Sequence, residues 1–364
     1  MKAGIVGLPN VGKSTLFNCL SNAKAQSANF PFCTIEPNIG VVNVPDPRLS
    51  KLEELVNPER VIPATVEIVD IAGLVKGASK GEGLGNQFLG NIRETDAILH
   101  VLRCFDNDNV VHVDGSVDPI RDKETIDIEL QLKDLESVEK KADKIGRAAK
   151  TGDKTAQKEF DALSRVKEAL EAGKSVRSLE FDENEYNDYI KPLQLITDKP
   201  VLYVCNVDEG AAVSGNAYVE KVKEAVKDEN AEVLVLAVGT EADINELEDF
   251  EERQMFLEDI GLDEPGSSKL IRSAYKLLKQ QTYFTAGKKE VRAWTTTIGD
   301  TAPQAAGVIH TDFEKGFIRA EVIAYNDYVS YGSETKVKEA GKMRVEGKTY
   351  VVKDGDVMHF LFNV

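Results

Sequence analysis

The chain is poor in cysteine and in long apolar runs, and both absences exclude whole classes of protein. The 4 cysteines among 364 residues, at positions 19, 33, 104 and 205, include no CxxC pair, which argues against a disulfide framework or a zinc site. No apolar run approaches the roughly 18 residues that a membrane span requires, and the first residues show no signal-peptide pattern. We therefore expect a cytoplasmic globular protein with reduced cysteines and no membrane association.

Positive charge is also scarce, because 45 Lys and Arg stand against 62 Asp and Glu and give a formal net charge of -17. That sum ordinarily disfavours a nucleic-acid partner, but the charge is unevenly spread. Residues 140–158 carry seven basic and two acidic side chains, whereas residues 241–264 carry eleven carboxylates and Arg253 as the one basic residue. Each run is either a solvated face or an interaction surface, and the sequence leaves both readings open.

The most informative stretch runs from Gly7 to Thr15, GLPNVGKST, and fits the phosphate-binding pattern GxxxxGK[ST] directly after an apolar strand. Glycines let successive backbone N–H groups point at phosphate oxygens, and the helix that follows adds the positive end of its dipole. We expect Lys13 to reach the β and γ phosphates and the Ser14 hydroxyl to bind Mg²⁺. The predicted nucleotide-binding residues of this loop are Asn10, Val11, Gly12, Lys13, Ser14 and Thr15.

A second motif, Asp70-Ile71-Ala72-Gly73, directly follows a predicted strand over residues 65–69. An aspartate at such a strand end reaches Mg²⁺ through water, and the glycine N–H senses the γ phosphate. Thr34 is placed to be the switch threonine that closes on Mg²⁺ and the γ phosphate, or it is an ordinary loop threonine. Together the two motifs predict a switch-type nucleoside triphosphatase whose metal residues are Ser14, Thr34 and Asp70.

The third motif, Asn206-Val207-Asp208-Glu209, follows a predicted strand over residues 201–205. GTPases of this architecture carry Asn-Lys-x-Asp there, and the aspartate accepts hydrogen bonds from the guanine ring. Here Val207 replaces the lysine, and Glu209 stands in place of the aspartate. Because a polar recognition site penalises the wrong base edge heavily, we expect weakened guanine selectivity and regard adenine as a plausible base.

Short β-branched runs predict the fold class of the first part of the chain. They lie at residues 40–44, 65–69, 97–102, 201–205 and 233–237, and helical or loop segments separate most of them. This alternation predicts an α/β domain in which helices cover both faces of a mainly parallel sheet.

Between the fourth and fifth core strands the apolar spacing changes to three and four residues. The positions are Ile128, Leu132, Leu135, Val138, Ala142, Ile145 and Ala149, and a second periodic stretch follows the break at residues 151–153. The pattern predicts an inserted antiparallel helical hairpin with a coiled-coil-like seam and with the basic run at its tip. The positive charge at this tip would contact a negatively charged partner such as an RNA backbone.

The last part of the chain is strand-rich and lacks a catalytic constellation. A linker-like run at residues 263–268 precedes an apolar helix through Leu270 and Leu278. Strands are predicted at residues 291–295, 317–322, 349–352 and 358–361. They indicate a small α+β or β-grasp-like module, in which the isolated His310 and His359 are structural.

The sequence resembles the Obg-like ATPases of the YchF family over essentially the whole chain. The residues that carry the resemblance are 7–15, the glycine-rich run 70–89, Asn206 with Glu209, and 353–360, which is similar to the end of a TGS domain. The resemblance implies a Ras-like P-loop NTPase domain of Obg type over residues 1–122 and 196–278. It further implies a coiled-coil arm over 123–195 and a TGS domain over 279–364.

The resemblance also implies an activity and partners. The activity is ATP hydrolysis, and the setting is association with the ribosome, its RNA and its proteins, through the arm and the TGS domain. It places Val238 and Gly239, after the last core strand, in the nucleotide site. Monomer is the expected state, because no exposed apolar seam is evident beyond the hairpin.

Leu74 follows the second motif where a water-orienting glutamine would sit, and an aliphatic side chain cannot position water. We therefore expect slow intrinsic hydrolysis. The resemblance points to His112, whose neutral imidazole would accept a hydrogen bond from water. Asn10 offers a second route by holding K⁺ near the phosphates. The predicted catalytic residues are thus His112, Lys13 and Asn10, although His112 also reads as a surface loop residue and Asn10 as a turn residue.

Three functions remain open at this point. The first is a slow ATPase whose nucleotide state sets its arm and TGS domain on the ribosome. The second is a binding module that senses adenine nucleotide and for which turnover is incidental. The third is a conventional GTPase in which Glu209 does the work of aspartate.

Overall fold

The computed structural model describes residues 1–22, 39–71, 84–229 and 231–363. The chain divides into two compact units. The first comprises Met1–Gly40 and Glu67–Leu270, and the second comprises Val41–Val66 and Ile271–Val364. Among the described residues no helix is both long and apolar enough to cross a membrane.

The strands form two sheets. Their bounds are β1 Lys2–Val6, β2 Ile39–Asn43, β3 Val61–Ile62, β4 Thr65–Asp70, β5 Ala97–Arg103, β6 Val201–Asn206, β7 Glu232–Leu236, β8 Gln280–Ala286, β9 Val291–Thr297, β10 Phe317–Ala324, β11 Arg344–Glu346 and β12 Asp356–Phe362. One sheet has the order β2-β4-β1-β5-β6-β7 and the other the order β11-β10-β12-β8-β9-β3. The predicted α/β class is confirmed, because the four pairings from β4 through β1, β5 and β6 to β7 are all parallel.

The helices lie between these strands along the chain, singly or in groups. Their bounds are α1 Lys13–Asn22, α2 Pro47–Val56, α3 Leu84–Arg93, α4 Pro119–Lys150, α5 Lys154–Glu171, α6 Glu183–Glu185, α7 Ala217–Val226, α8 Val238–Glu246, α9 Phe250–Asp259, α10 Gly266–Leu277, α11 Ala302–Ile309, α12 Thr311–Lys315, α13 Tyr325–Tyr331 and α14 Glu334–Glu339. Every residue of β5 and β6 is buried, as expected for parallel strands covered on both faces.

The parallel direction decides where the site lies. The phosphate loop follows β1, Asp70 ends β4, Asn206 ends β6 and Val238 follows β7. In an open α/β sheet the carboxyl ends of the strands meet along one edge, and ligands bind there. The sheet therefore gathers motifs that lie far apart in sequence.

The predicted helical hairpin is confirmed, and it consists of α4 and α5. Aspartates cap both helices: Asp118 accepts the backbone N–H groups of the first turn of α4, and Asp153 does the same for α5. The helices pack through an apolar core whose buried residues include Val138, Leu163 and Val166. The loop between them, residues 151–153, lies within the basic run. Lys150 and Lys154, on either side of this loop, are exposed at the tip of the hairpin.

The predicted seam is wrong in the first half of α4. Ile128 and Leu132 are 52% and 38% exposed, whereas Ile126 and Leu130 are buried. The buried face there also carries Asp134, which is fully buried. Because polar residues with hydrogen-bond partners occupy this face, apolar spacing alone selects the wrong positions.

Asp134 joins α4 to the segment before β6. Its carboxylate accepts the backbone N–H of Ile196 at 2.9 Å and that of Thr197 at 2.7 Å, and it also accepts the Thr197 hydroxyl at 2.7 Å. Burial raises the pKa of Asp134, and the hydrogen bonds from Thr197 and Ile196 oppose that shift. The Asp134 side chain thus provides the hydrogen-bond acceptor for two backbone N–H groups that lie outside the sheet.

The second unit builds its sheet from the C-terminal residues and from residues 41–66. Arg48 near the start of α2 pairs with Asp46 and Asp354, both at 2.7 Å. The predicted strand at residues 349–352 is wrong, since it contains only an isolated bridge between Val351 and Thr301. The run at residues 263–268 is only partly a linker, because α10 begins at Gly266. The domain boundaries expected from the sequence remain a prediction.

Replacing Asp134 by alanine should lower the free energy of unfolding by about 3 kcal/mol, since two buried N–H donors would lose their acceptor. Urea unfolding followed by circular dichroism measures this change. Asp143→Ala, at an exposed position of the same helix, is the control and should change stability by no more than about 0.5 kcal/mol. Equal midpoints for the two variants would contradict the role given to Asp134.

Candidate functional site

The phosphate loop holds its lysine inside the protein. The Lys13 ammonium is in a buried side chain and donates to the Leu8 carbonyl at 2.7 Å. Burial lowers the pKa of Lys13 from 10.5 to about 8, although the negative charge of Asp70 opposes the shift. The ammonium is thus a buried cation that donates to a neutral carbonyl, and phosphate oxygens would supply the anionic partners that such a cation favours.

Two glycines of the loop are required by close approach. A Cβ on Gly7 would lie 2.6 Å from the Val101 carbonyl oxygen, which is backbone and cannot move aside. A Cβ on Gly12 would lie 2.6 Å from Asn206 Nδ2, and Gly12 has a φ of +100°. Asn10 also has a positive φ of 62°. The loop therefore wraps tightly, as a phosphate cradle must.

Ser14 and Asp70 meet where a metal ion would sit. The Ser14 hydroxyl donates to Asp70 Oδ2 at 3.3 Å. Among the described residues no group hydrogen-bonds to the buried Asp70 Oδ1, and burial raises the pKa of this carboxyl. An oxygen-rich position with an orphaned carboxylate oxygen suits Mg²⁺, which prefers oxygen ligands. The third predicted metal residue, Thr34, lies outside the described residues, as do Gly73 and Leu74.

Asn206 connects the phosphate loop to the segment after β7. Its Nδ2 donates to the Val11 carbonyl at 2.9 Å, and its Oδ1 accepts the Val238 N–H at 3.1 Å. The side chain is buried, so both halves of its amide serve protein groups. Within this motif Val207 is also buried and Glu209 is exposed. The Asn206 amide is therefore engaged within the protein, whereas the Glu209 side chain is exposed to solvent.

The remaining predicted nucleotide residues lie at the same edge. Thr15 is exposed in the first turn of α1, and Val238 and Gly239 begin α8. Gly239 is exposed, with no atom within 4 Å of the position that a Cβ would occupy. The Asp208 side chain accepts the N–H of Ala211 and so stabilises the short turn that carries Glu209.

His112 is buried and both of its ring nitrogens are engaged. Nε2 lies 2.8 Å from Asp122 Oδ2, and Nδ1 accepts the backbone N–H of Asp114 at 3.1 Å. The ligand atoms of these three residues lie within 4.8 Å of one another, but hydrogen bonds account for both nitrogens of the ring. The reading of His112 as a surface residue is wrong, since it is 7% exposed.

The loop that carries His112 touches the phosphate loop directly. Asn10 Nδ2 donates to the Val111 carbonyl at 3.1 Å. Sequence reasoning missed Asp122, which holds His112 from the first turn of α4. The pair Asp118-Pro119 was the available signal, because a helix cap followed by proline starts a helix and places Asp122 in its first turn.

Two family models match the chain. One is described as a 50S ribosome-binding GTPase and matches residues 2–145. The other, YchF-GTPase_C, is described as a protein of unknown function and matches residues 280–363. The "Ribosome-binding ATPase YchF" of Bacillus subtilis is 58% identical over 366 residues and matches 100% of both chains. Its Escherichia coli O157:H7 counterpart is 57% identical over 363 residues and covers 100% of this chain and 99% of the relative.

Solved structures agree with the fold. The YchF GTPase of Schizosaccharomyces pombe has a TM-score of 0.90 and 38% identity, and the match covers 99% of this chain and 97% of that chain. A GTP binding protein from Pyrococcus horikoshii OT3 has a TM-score of 0.62 at 20% identity and covers 100% of both chains, which shows a similar fold alone. The two bacterial relatives are thus named as ATPases, whereas the fission yeast relative is named as a GTPase.

Binding of a nucleoside triphosphate should draw a proton onto Lys13 above neutral pH. In the empty site the pKa of about 8 leaves Lys13 mostly neutral at pH 9, and bound phosphates would restore its charge. The uptake should approach one proton at pH 9 and fall to about a tenth of a proton at pH 7. At pH 9 the phosphates do not contribute, because a last pKa of about 6 leaves them fully ionised, whereas at pH 7 their own protons would offset the small uptake by Lys13.

Calorimetric titration in two buffers of different ionisation enthalpy measures this uptake. Lys13→Arg is the control, since a guanidinium stays charged throughout this range and should show none. A binding enthalpy at pH 9 that does not depend on the buffer would contradict the burial argument.

Proposed function

The chain belongs to the YchF family, and on that basis we propose that it is a ribosome-binding P-loop ATPase. The observation that carries the proposal is the convergence of Lys13, Ser14 and Asp70 at adjacent strand ends. That arrangement suits a triphosphate with its metal ion. The bacterial relatives, 57 to 58% identical, bear the name "Ribosome-binding ATPase YchF".

We propose Mg²⁺ as the cofactor, with Ser14, Asp70 and Thr34 as the residues that would hold it. When bound, Mg²⁺ supplies positive charge that neutralises the β and γ phosphate oxygens. Lys13 would leave the Leu8 carbonyl for those oxygens, and the Gly73 N–H would sense the γ phosphate. Val11, Gly12 and Thr15 would complete the cradle.

The base preference follows from Val207 and Glu209. A buried valine offers no ammonium stem to pack on a base, and the glutamate is one methylene longer than the aspartate that reads guanine. We therefore propose ATP as the preferred nucleotide, with Val238 and Gly239 lining the same edge. The GTPase name of the Schizosaccharomyces pombe relative is the reason to test GTP beside it.

Hydrolysis is proposed to be slow, because Leu74 replaces the glutamine that orients water. His112 is the proposed substitute, and K⁺ held by Asn10 is the second route. A second function, sensing of adenine nucleotide without a need for turnover, is favoured by one observation. Both nitrogens of His112 are engaged within the protein, so water can reach Nδ1 only if the Asp114 N–H moves away from it.

The partner surfaces are proposed from charge. The exposed basic tip of the α4–α5 hairpin suits ribosomal RNA, whose phosphates attract such a patch. The C-terminal TGS domain is the second proposed contact with the ribosome. We propose that the protein acts as a cytoplasmic monomer and that its nucleotide state controls its residence on the ribosome.

ATP should bind at least about tenfold more tightly than GTP, since the wrong base edge leaves polar groups unpaired. Calorimetry with both triphosphates and their diphosphates, in K⁺ and in Na⁺ buffer, measures the preference and any potassium effect. The double variant Val207→Lys with Glu209→Asp should move the preference toward GTP. Glu224→Asp on α7 is the matched control and should leave it unchanged. Tighter GTP binding by the wild type would overturn the base argument.

Cosedimentation with ribosomes separates the switch from the sensor. A switch predicts that ATP and a non-hydrolysable analogue promote binding, that ADP does not, and that release follows the hydrolysis rate. Lys13→Ala should lose the nucleotide dependence. If wild type and His112→Ala leave the ribosome equally fast in ATP while hydrolysing it at different rates, turnover is not the timer and the sensor function stands.

A further inference from the structure

The arm helix α4 contributes a carboxylate to the loop that carries His112. Asp122 lies in the first turn of α4 with its side chain 1% exposed, and its Oδ2 is 2.8 Å from His112 Nε2. Its other oxygen, Oδ1, accepts Arg121 Nε at 3.2 Å and Arg121 Nη2 at 3.0 Å. The carboxylate is therefore held from both sides, with one oxygen assigned to the imidazole.

These contacts define the tautomer of His112. The backbone N–H of Asp114 donates to Nδ1, so Nδ1 carries a lone pair and no proton. The neutral ring then carries its proton on Nε2, which donates it to Asp122. The carboxylate that accepts from Nε2 orients the ring, and Nδ1 is then the nitrogen of the ring that can accept a hydrogen bond.

We propose that Asp122 is the positioning residue for His112 and that Nδ1 is the atom that receives the proton of the attacking water. The inference deepens the proposed ATPase function and rests on it. The Asp114 N–H holds the place that the water O–H takes during hydrolysis, since both are donors to the same lone pair.

The step balances without a further reactant. As the water oxygen forms its bond to the γ phosphorus, the water O–H bond breaks and its proton passes to Nδ1. The bond from the γ phosphorus to the bridging oxygen breaks, and its electron pair leaves with ADP. Asp122 stabilises the imidazolium, which later returns the proton to the phosphate product or to solvent.

The position of the loop supports this role. Val111, the residue before His112 in the chain, accepts a hydrogen bond from Asn10 of the phosphate loop, so the loop that carries His112 contacts the nucleotide cradle. On its other side the ring is tied to α4. A partner that displaces the arm therefore also displaces the carboxylate that orients His112. In this arrangement the Asp114 N–H occupies Nδ1, so this hydrogen bond has to break before water can donate to that nitrogen.

The first test reads the tautomer without any activity. The chain has 4 histidines, so nitrogen-15 labelling of histidine gives few imidazole signals to assign, and His112→Ala identifies the one of interest. The nucleotide-free protein should show Nε2 protonated and Nδ1 unprotonated at His112. A proton found predominantly on Nδ1 would overturn the proposal.

The second test is a double-mutant cycle on single-turnover ATP hydrolysis. Asp122→Asn should lower the rate constant on the order of 100-fold, since positioned proton transfer contributes about that much. ATP affinity, measured by calorimetry, should stay within about twofold because Asp122 contributes to orientation and not to binding. In the His112→Ala background Asp122→Asn should have no further effect.

Asp108→Asn, at an exposed position of the same loop, is the matched control and should hydrolyse ATP at the wild-type rate. Asp122 would be merely structural if its substitution cost the same factor with and without His112. A wild type that hydrolyses no ATP would instead remove the proposed function. Hydrolysis at the wild-type rate by His112→Ala would overturn the positioning role alone.

Discussion

The buried amide of Asn206 is the contact on which the candidate site depends. It accepts from the Val238 N–H and donates to the Val11 carbonyl, so one side chain joins three strand ends of a parallel sheet. Gly12 must lack a Cβ because this amide lies 2.6 Å from where one would be. The phosphate loop is therefore shaped as much by β6 as by its own glycines. A substitution at Asn206 would alter phosphate binding before it altered base recognition.

A second connection runs from the same loop to the helical arm. Asn10 contacts Val111, and the next residue, His112, is held by Asp122 of α4. Hydrogen bonds thus link the phosphate cradle to the first turn of a helix that extends to Lys150. Because α4 is continuous over 32 residues, a force applied near its basic tip has a rigid element through which to act.

Sequence reasoning located the core strands of the first sheet well because those signals are local. The core strands are short β-branched runs, and their observed bounds differ from the predicted ones by no more than one residue at each end. The signals that failed depend on tertiary partners. Ile128 and Leu132 fit a helical period but are exposed, since Asp134 and its polar neighbours occupy the buried face. Asp122 could be placed in a helix but not assigned to His112, because its partner is chosen by the fold of a loop.

Burial acts on both charged side chains at the candidate phosphate site, and this bears on what nucleotide binding would do there. Lys13 is buried with a pKa lowered to about 8, while Asp70 has a raised pKa and a buried oxygen to which no described residue hydrogen-bonds. The two charges attract, and each has a neutral hydrogen-bond partner, since Lys13 donates to the Leu8 carbonyl and Asp70 accepts from the Ser14 hydroxyl. A triphosphate would supply anionic oxygens to Lys13, and a divalent cation would supply a ligand position to Asp70. Binding would therefore reduce the free-energy cost of burying the charges of Lys13 and Asp70. Part of the affinity would come from this reduction and not from new contacts alone.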